Sequence, residues 1–196
     1  MSKSKLSFIY APMNAGKSIE VLKMHHSYSE YGKKCLLFAP AMDTRFGTGL
    51  VASRIGISQK ATMYHRDTNF VDQINQMAAA DTDRIFAIIV EESQFLTKQQ
   101  VSELAKIVDS LDIPVYCYGL KNTFQNELFE GSAALLVYAD SIKEIKTICA
   151  SPDCGEKATM ILRLENGVPT YQGEVVQIGD NDTYKSVCRH HYYNPF

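Results

Sequence analysis

Three observations predict an α/β fold with a parallel sheet flanked by helices, in the manner of P-loop (RecA-like) proteins, and a small C-terminal β subdomain. Short apolar runs alternate with helical patterns through residue 147. A Gly-Lys-Ser loop follows the first of those runs. After Thr147 the alternation stops, and cysteines, glycines and prolines gather around short β-like pieces. The chain therefore divides into a nucleotide-binding unit, residues 1–147, and a metal-stapled unit, residues 148–196.

Four apolar runs have the continuous character of strands covered on both faces: Leu6–Tyr10, residues 35–39, Ile85–Val90 and Val115–Gly119. After Gly16, the residues Val21, Leu22, His25 and Tyr28 recur at helical spacing, and Gly32 supplies a stop. Phe70–Ala80 repeats Ile74, Met77 and Ala78 in the same way. A third helix starts at a capping box, Thr97-Lys98-Gln99-Gln100, with Val101, Leu104, Ala105, Val108 and Leu111 on one face. Residues 43–62, with Gly47, Gly49 and Gly56, read as one long functional loop.

An apolar fraction of 45% and a charged fraction of 21% are ordinary for a soluble globular protein. The net charge of −2 gives no general attraction to nucleic acid or anionic membrane. No run approaches the roughly 18 apolar residues of a membrane span, and Leu6–Tyr10 is too short for a signal-peptide core. A cytoplasmic location is the expectation. In that compartment five cysteines point to metal or free thiols before disulfides. Cys35 and Cys117, alone in apolar runs, read as inert buried thiols.

The first strand runs into Ala11-Pro12-Met13-Asn14-Ala15-Gly16-Lys17-Ser18 and then a helix. Backbone N–H groups at a helix start, with the helix dipole, bind anions. Lys17 would add its charge to the β- and γ-phosphates of ATP, and the Ser18 hydroxyl would ligate Mg²⁺. The strand ending at Val90 leads into Glu91 and Glu92, then Ser93 and Gln94. Consecutive strand residues point to opposite sides, so one carboxylate can face metal and phosphates while the other faces an acceptor hydroxyl. Phosphoryl transfer to an alcohol needs both.

Cys149-Ala-Ser-Pro-Asp-Cys154 and Cys188-Arg-His-His191 resemble the two halves of a zinc ribbon. Three thiolates and one imidazole, with His191 at the better spacing, close a structural tetrahedral Zn²⁺ site. Ribbons often bind nucleic acid, but here Lys146, Lys157, Arg163, Lys185 and Arg189 are interleaved with acidic residues.

Together these motifs resemble the thymidine kinase family over nearly the whole chain. Pro-Met-Asn-Ala-Gly-Lys-Ser, Asp43-Thr44-Arg45, Ser53-Arg54-Ile55-Gly56, Gln94-Phe95-Leu96, Tyr118-Gly119-Leu120 and Ser186-Val187-Cys188-Arg189 fall in the family's order. The resemblance implies transfer of the γ-phosphate of ATP to the 5′-hydroxyl of thymidine, with deoxyuridine as a further candidate acceptor, in nucleotide salvage. It implies Glu92 as catalytic base, Lys17 and Ser18 at phosphate and Mg²⁺, and Asp43 and Arg45 near the transferring phosphate. Phe95, Leu120, Phe124 and Phe129 match positions around the nucleoside, and Arg163 and Tyr184 match positions in a loop folding over thymine from the zinc ribbon. It implies a homotetramer and feedback inhibition by the end-product triphosphate. The chain departs from the family at Glu91, where members carry Asp, at the widened Cys149–Cys154 pair, and at Ala11 in place of glycine. A second reading, an ATP-driven nucleic-acid-binding protein, requires a basic face that the composition does not supply. A third, a nucleotide-binding subunit without activity, would follow from Glu91.

Overall fold

In the computed structural model, residues 4–43, 47, 49–81, 83–175 and 183–196 are described. In chain order the elements are β1 (Leu6–Tyr10), α1 (Lys17–Glu30), β2 (Lys34–Pro40), β3 (Leu50–Ala52), β4 (Ser58–Lys60), β5 (Thr62–Tyr64), α2 (Phe70–Ala80) and β6 (Ile85–Val90). After a 3-10 turn at Ser93–Phe95 come α3 (Lys98–Leu111), β7 (Val115–Gly119), α4 (Glu130–Tyr138), β8 (Ser141–Glu144), β9 (Met160–Glu165), β10 (Val168–Thr170), β11 (Tyr184–Val187) and α5 (Arg189–Tyr193).

Strand alternation builds two apolar layers from one sheet. Leu6, Phe8, Phe38, Ile88, Val90, Val115 and Cys117 meet Phe70 and Ile74 of α2, Val101, Leu104, Ile107 and Val108 of α3, and Leu135 of α4. Ile9, Leu37, Ala39, Ile89 and Tyr118 point the other way, onto Val21 and Leu22 of α1 and Val51 of β3. The six strands run in the order β5-β2-β6-β7-β1-β8, all parallel. Their carboxyl ends therefore share one edge, where open α/β sheets bind ligands.

The helix signals hold in detail. Gln100 N–H donates to Thr97 Oγ1 at 3.2 Å and Thr97 N–H to Gln100 Oε1 at 3.0 Å, closing the capping box. Gln100 also donates from Nε2 to the carbonyls of His65 and Thr68 at 2.7 and 3.0 Å. Gly32, at φ +64°, lets the chain turn back from α1 into β2. Burial pushes the Cys35 thiol up to about 12 and raises that of Cys117 as well, consistent with inert thiols.

The expected loop over residues 43–62 is corrected in part: β3 and β4 form an antiparallel hairpin, Val51 opposite Gln59. Ser53 N–H donates to the Ile57 carbonyl at 2.8 Å, and Gly56 at φ +86° closes the turn. Val51 is buried against the sheet, while β4 is exposed along its length. A three-residue strand with one buried side chain carries too little pattern to be read in advance. The edge strands β5 and β8 and helix α4 went unread for similar reasons.

The C-terminal unit is a three-stranded antiparallel sheet, β10-β9-β11, against α5. Among the described residues, no helix is long and apolar enough to cross a membrane.

Candidate active site

Residues 11–18 turn from β1 into α1. Ala11 N–H donates to the Gly119 carbonyl at 3.2 Å, so the loop leaves the sheet beside the end of β7. Asn14 and Gly16 adopt left-handed backbone, φ +61° and +84°. Gly16 caps α1 with no side chain bonded to the first turn, which leaves its N–H groups directed at the strand ends. Lys17 is 9% exposed and its Nζ donates to the Pro12 carbonyl at 3.2 Å. The ammonium thus lies folded across the loop that it would share with a phosphate.

Opposite this loop, β6 delivers the two glutamates. Val90 faces the α2–α3 layer, so the next residue in register, Glu91, turns toward α1, where its Oε1 accepts from Ser18 Oγ at 2.9 Å. Glu91 is 6% exposed. Burial, and then the neighbouring Glu92 carboxylate, push its carboxyl up to about 8 against the opposing pull of Ser18 and Lys17. Glu92 does not continue the strand. Its backbone is left-handed, φ +48°, its carbonyl accepts from the Tyr64 hydroxyl at 2.9 Å, and Oε2 accepts from Gln94 Nε2 at 2.6 Å. Strict alternation predicts opposite sides for the pair. The left-handed turn instead brings carboxylate oxygens of Glu91, Glu92 and Asp43 within 4.8 Å of one another. Ser18, Asp43 and Glu91 line one cavity with Val51 of the hairpin. Arg45, expected here as well, lies outside the described residues.

Close packing underlies this turn. A Cβ at Gly119 would lie 2.7 Å from Ser93 Oγ and 2.8 Å from Gln94 Oε1. One at Gly131 would lie 2.8 Å from the Leu96 carbonyl oxygen. Tyr64, Gly119 and Gly131 were not read as site residues. Each acts through contacts across the sheet, and only Gly119, in a Tyr-Gly-Leu segment at a strand end, offered a local signal.

The apolar positions form two groups. Phe95 and Phe129 are half-buried, edge to face with ring centroids 6.0 Å apart. Phe124, Ile161 and Tyr184 cluster with Met13 and Leu120. Arg163 and Tyr184 are corrected from loop to strand: they are register partners on β9 and β11. Arg163, 6% exposed, stands 5.1 Å from the Phe124 ring centroid and donates to the Glu174 carbonyl at 3.1 Å and to Glu165 at 2.6 Å. It grips the segment following β10 from its base, since a buried guanidinium needs fixed partners on every side. Of that segment, residues 176–182 lie outside the described residues.

The C-terminal cluster is Cys149, Cys154, Cys188 and His191, with four ligand atoms mutually within 4.8 Å. His191 Nδ1 lies 3.5 Å from Cys149 Sγ and 3.3 Å from Cys188 Sγ. The four-residue gap is accommodated by a turn in which Cys154 N–H donates to the Ser151 carbonyl and Asp153 takes φ +57°. The backbone N–H of His191 heads the groups that hold the Cys188 thiol below its ordinary value. Sulfur and imidazole donors in a closed set suit a structural metal, and the oxygen-only set of Ser18, Asp43, Glu91 and Glu92 suits a hard one. The two units are joined where Ser186 Oγ donates to the Met13 carbonyl and Tyr192 hydroxyl to the Phe124 carbonyl.

A strand–phosphate-loop–helix unit with three carboxylates at its mouth, bonded to a unit whose three cysteines and histidine could hold a metal, defines a nucleotide-binding α/β protein. The chain belongs to the thymidine kinase family, whose model matches residues 4–192. It is 49% identical over 192 residues to the thymidine kinase of Streptococcus pyogenes serotype M3 (strain ATCC BAA-595 / MGAS315), covering 98% of each chain. It is 48% identical to that of Lactococcus lactis subsp. lactis (strain IL1403), with the same coverage. A slighter likeness links it to the Pif1 helicase of Candida albicans, with TM-score 0.47 and 14% identity over 74% of this chain and 36% of that one, too little to bear on function.

Proposed function

We propose that the protein transfers the γ-phosphate of ATP to the 5′-hydroxyl of thymidine, giving dTMP for nucleotide salvage. The observation that carries this reading is the left-handed turn at Glu92, which sets a buttressed carboxylate beside the phosphate loop in a chain of this family.

In this reading the α1 N–H groups and Lys17 bind the β- and γ-phosphates, with Lys17 exchanging the Pro12 carbonyl for phosphate oxygen. Ser18, Glu91 and Asp43 would hold Mg²⁺, which would neutralise charge on the transferring group. Glu91 serves where family members carry Asp. Arg45 adds positive charge at the same group. Glu92 accepts the proton of the 5′-hydroxyl as the hydroxyl oxygen attacks the γ-phosphorus in line, the bond to the β,γ-bridging oxygen breaks and ADP leaves. Ala11, Pro12, Met13, Asn14, Ala15, Gly16 and Ser93 complete the nucleotide side, whereas Gln94, expected there from the sequence, is turned to Glu92 and Leu120. Phe95, Leu120, Phe124 and Phe129 enclose the nucleoside. Arg163 and Tyr184 brace the base of the segment expected to fold over the nucleoside, and Cys149, Cys154, Cys188 and His191 would hold a structural Zn²⁺ that supports it. Residues 1–147 and 148–196 are the corresponding units. A cytoplasmic homotetramer follows from the family resemblance alone.

The test is Mg-ATP-dependent formation of dTMP by the purified protein beside Glu92→Gln. The parent is expected to be active and the variant to lose about 10²–10⁴-fold in kcat. An inactive parent that still binds ATP would sink the reading.

A further inference from the structure

Gln94 is a buried, doubly bonded polar side chain at the mouth of the site. It is 2% exposed, and both ends of its amide are committed. Oε1 accepts from the Leu120 N–H at 3.0 Å, and Nε2 donates to Glu92 Oε2 at 2.6 Å. The backbone donor can meet only the oxygen end of the amide, so the nitrogen end must face Glu92. No rotation of the amide keeps both bonds. The missing Cβ of Gly119 makes this possible, since any larger residue there would collide with Oε1. Glu92 needs such a restraint: it holds left-handed backbone unusual for a residue with a side chain, and the Tyr64 hydroxyl fixes only its carbonyl. Leu120 belongs to the apolar group with Phe124, Ile161 and Tyr184. The amide thus spans from the carboxylate to the wall of the nucleoside pocket.

We infer that Gln94 is a positioning residue which aims the Glu92 carboxylate and ties it to the nucleoside-binding wall, in place of contacting nucleotide. The inference rests on the reading of Glu92 as the base. A donor at 2.6 Å on a carboxylate is a strong, directional restraint. Displacing a catalytic group by about 1 Å costs on the order of 10²-fold in rate.

Two substitutions separate the two ends of the amide. Gln94→Glu keeps an oxygen for the Leu120 N–H but sets a carboxylate against Glu92, whereas Gln94→Met keeps the volume and loses both bonds. Each is made in the parent and in Glu92→Gln, with kcat and KM measured for thymidine and ATP, and folding followed by thermal melting. In the parent, both variants are expected to lose about 10- to 100-fold in kcat, with KM for ATP within about twofold. In Glu92→Gln, Gln94→Met is expected to cost less than about twofold, because the group it aims is already gone. Equal losses in both backgrounds, or full kcat in a folded Gln94→Glu, would overturn the inference, as would a raised KM for ATP with kcat retained. A parent that makes no dTMP, or Glu92→Gln as active as the parent, removes the base assignment itself and the inference with it.

Discussion

In the α/β unit every central strand sends side chains to both faces, and Phe8, Phe38, Phe70, Ile74, Ile88 and Leu104 are wholly buried between sheet and helices. In the C-terminal unit one buried cluster is Cys149, Leu162, Val187, Cys188 and Tyr192, so two of its five members belong to the cysteine–histidine group. One unit is stabilised by apolar area at about 25 cal/mol per Å². The other has a smaller apolar cluster, and a metal held by its cysteines and histidine would lower the free energy of the folded form only when bound. The Glu91–Glu92 turn belongs to the first unit, and the two meet through the Ser186–Met13 and Tyr192–Phe124 bonds and the shared cluster of Met13, Leu120, Phe124, Ile161 and Tyr184.

The sharpest break of that comparison is to remove the metal. Structural zinc sites of this donor set contribute about 10–16 kcal/mol of apparent binding free energy to folding. Cys188→Ser, or stripping with a strong chelator, is expected to abolish zinc binding, unfold residues 148–196 and remove more than about tenfold of thymidine phosphorylation. The sheet unit should keep its far-ultraviolet circular dichroism and its affinity for ATP. Metal analysis with hydrogen exchange checks this, and loss of protection across β1, β6 and β7 would mean that the two units fold as one.

The same contrast governs what could be read beforehand. Buried strands, the capping box and the phosphate loop each depend on residues adjacent in sequence, so β1, β6, β7, α2 and the Thr97 cap were legible within a residue. The cysteines and His191 were legible because ligand chemistry restricts residue type. What depends on tertiary approach was not. Nothing around Tyr64 announces a hydroxyl directed at Glu92, and nothing around Gly131 announces a helix packed on the Ser93–Phe95 turn. Alternation set Glu92 opposite Glu91, and that geometry does not survive a left-handed residue.

Within the sheet unit, Glu91 distinguishes the carboxyl edge of the sheet from the core beneath it. Its folded carboxyl titrates at about 8, above the 4.5 of the unfolded chain. Its contribution to stability is therefore complete below about pH 4.5 and is lost as pH rises through about 8. Mg²⁺-free protein is expected to lose a few degrees in Tm between about pH 5 and pH 8, and Glu91→Gln to lose less over the same range. Saturating Mg-ATP should flatten the slope in the parent. Equal pH slopes in parent and variant would show that Glu91 is already ionised in the folded metal-free protein.

The smallest effect tests whether the core communicates with the turn that it supports. Thr97 caps α3 one residue after the Leu96 N–H closes the Ser93–Phe95 turn on the Ser93 carbonyl. Thr97→Ala removes the side-chain acceptor for the Gln100 N–H, at a cost of about 1 kcal/mol. In a chain of this size that corresponds to about 2–4 °C in Tm. The Gln100 side chain keeps its bonds to His65 and Thr68, which hold the start of α3 in place without the threonine. The expected result is a lowered Tm with kcat within about twofold of the parent. A larger loss of kcat would mean that the cap helps set the left-handed turn at Glu92, and that helix α3 belongs with the catalytic edge more than with the core it packs.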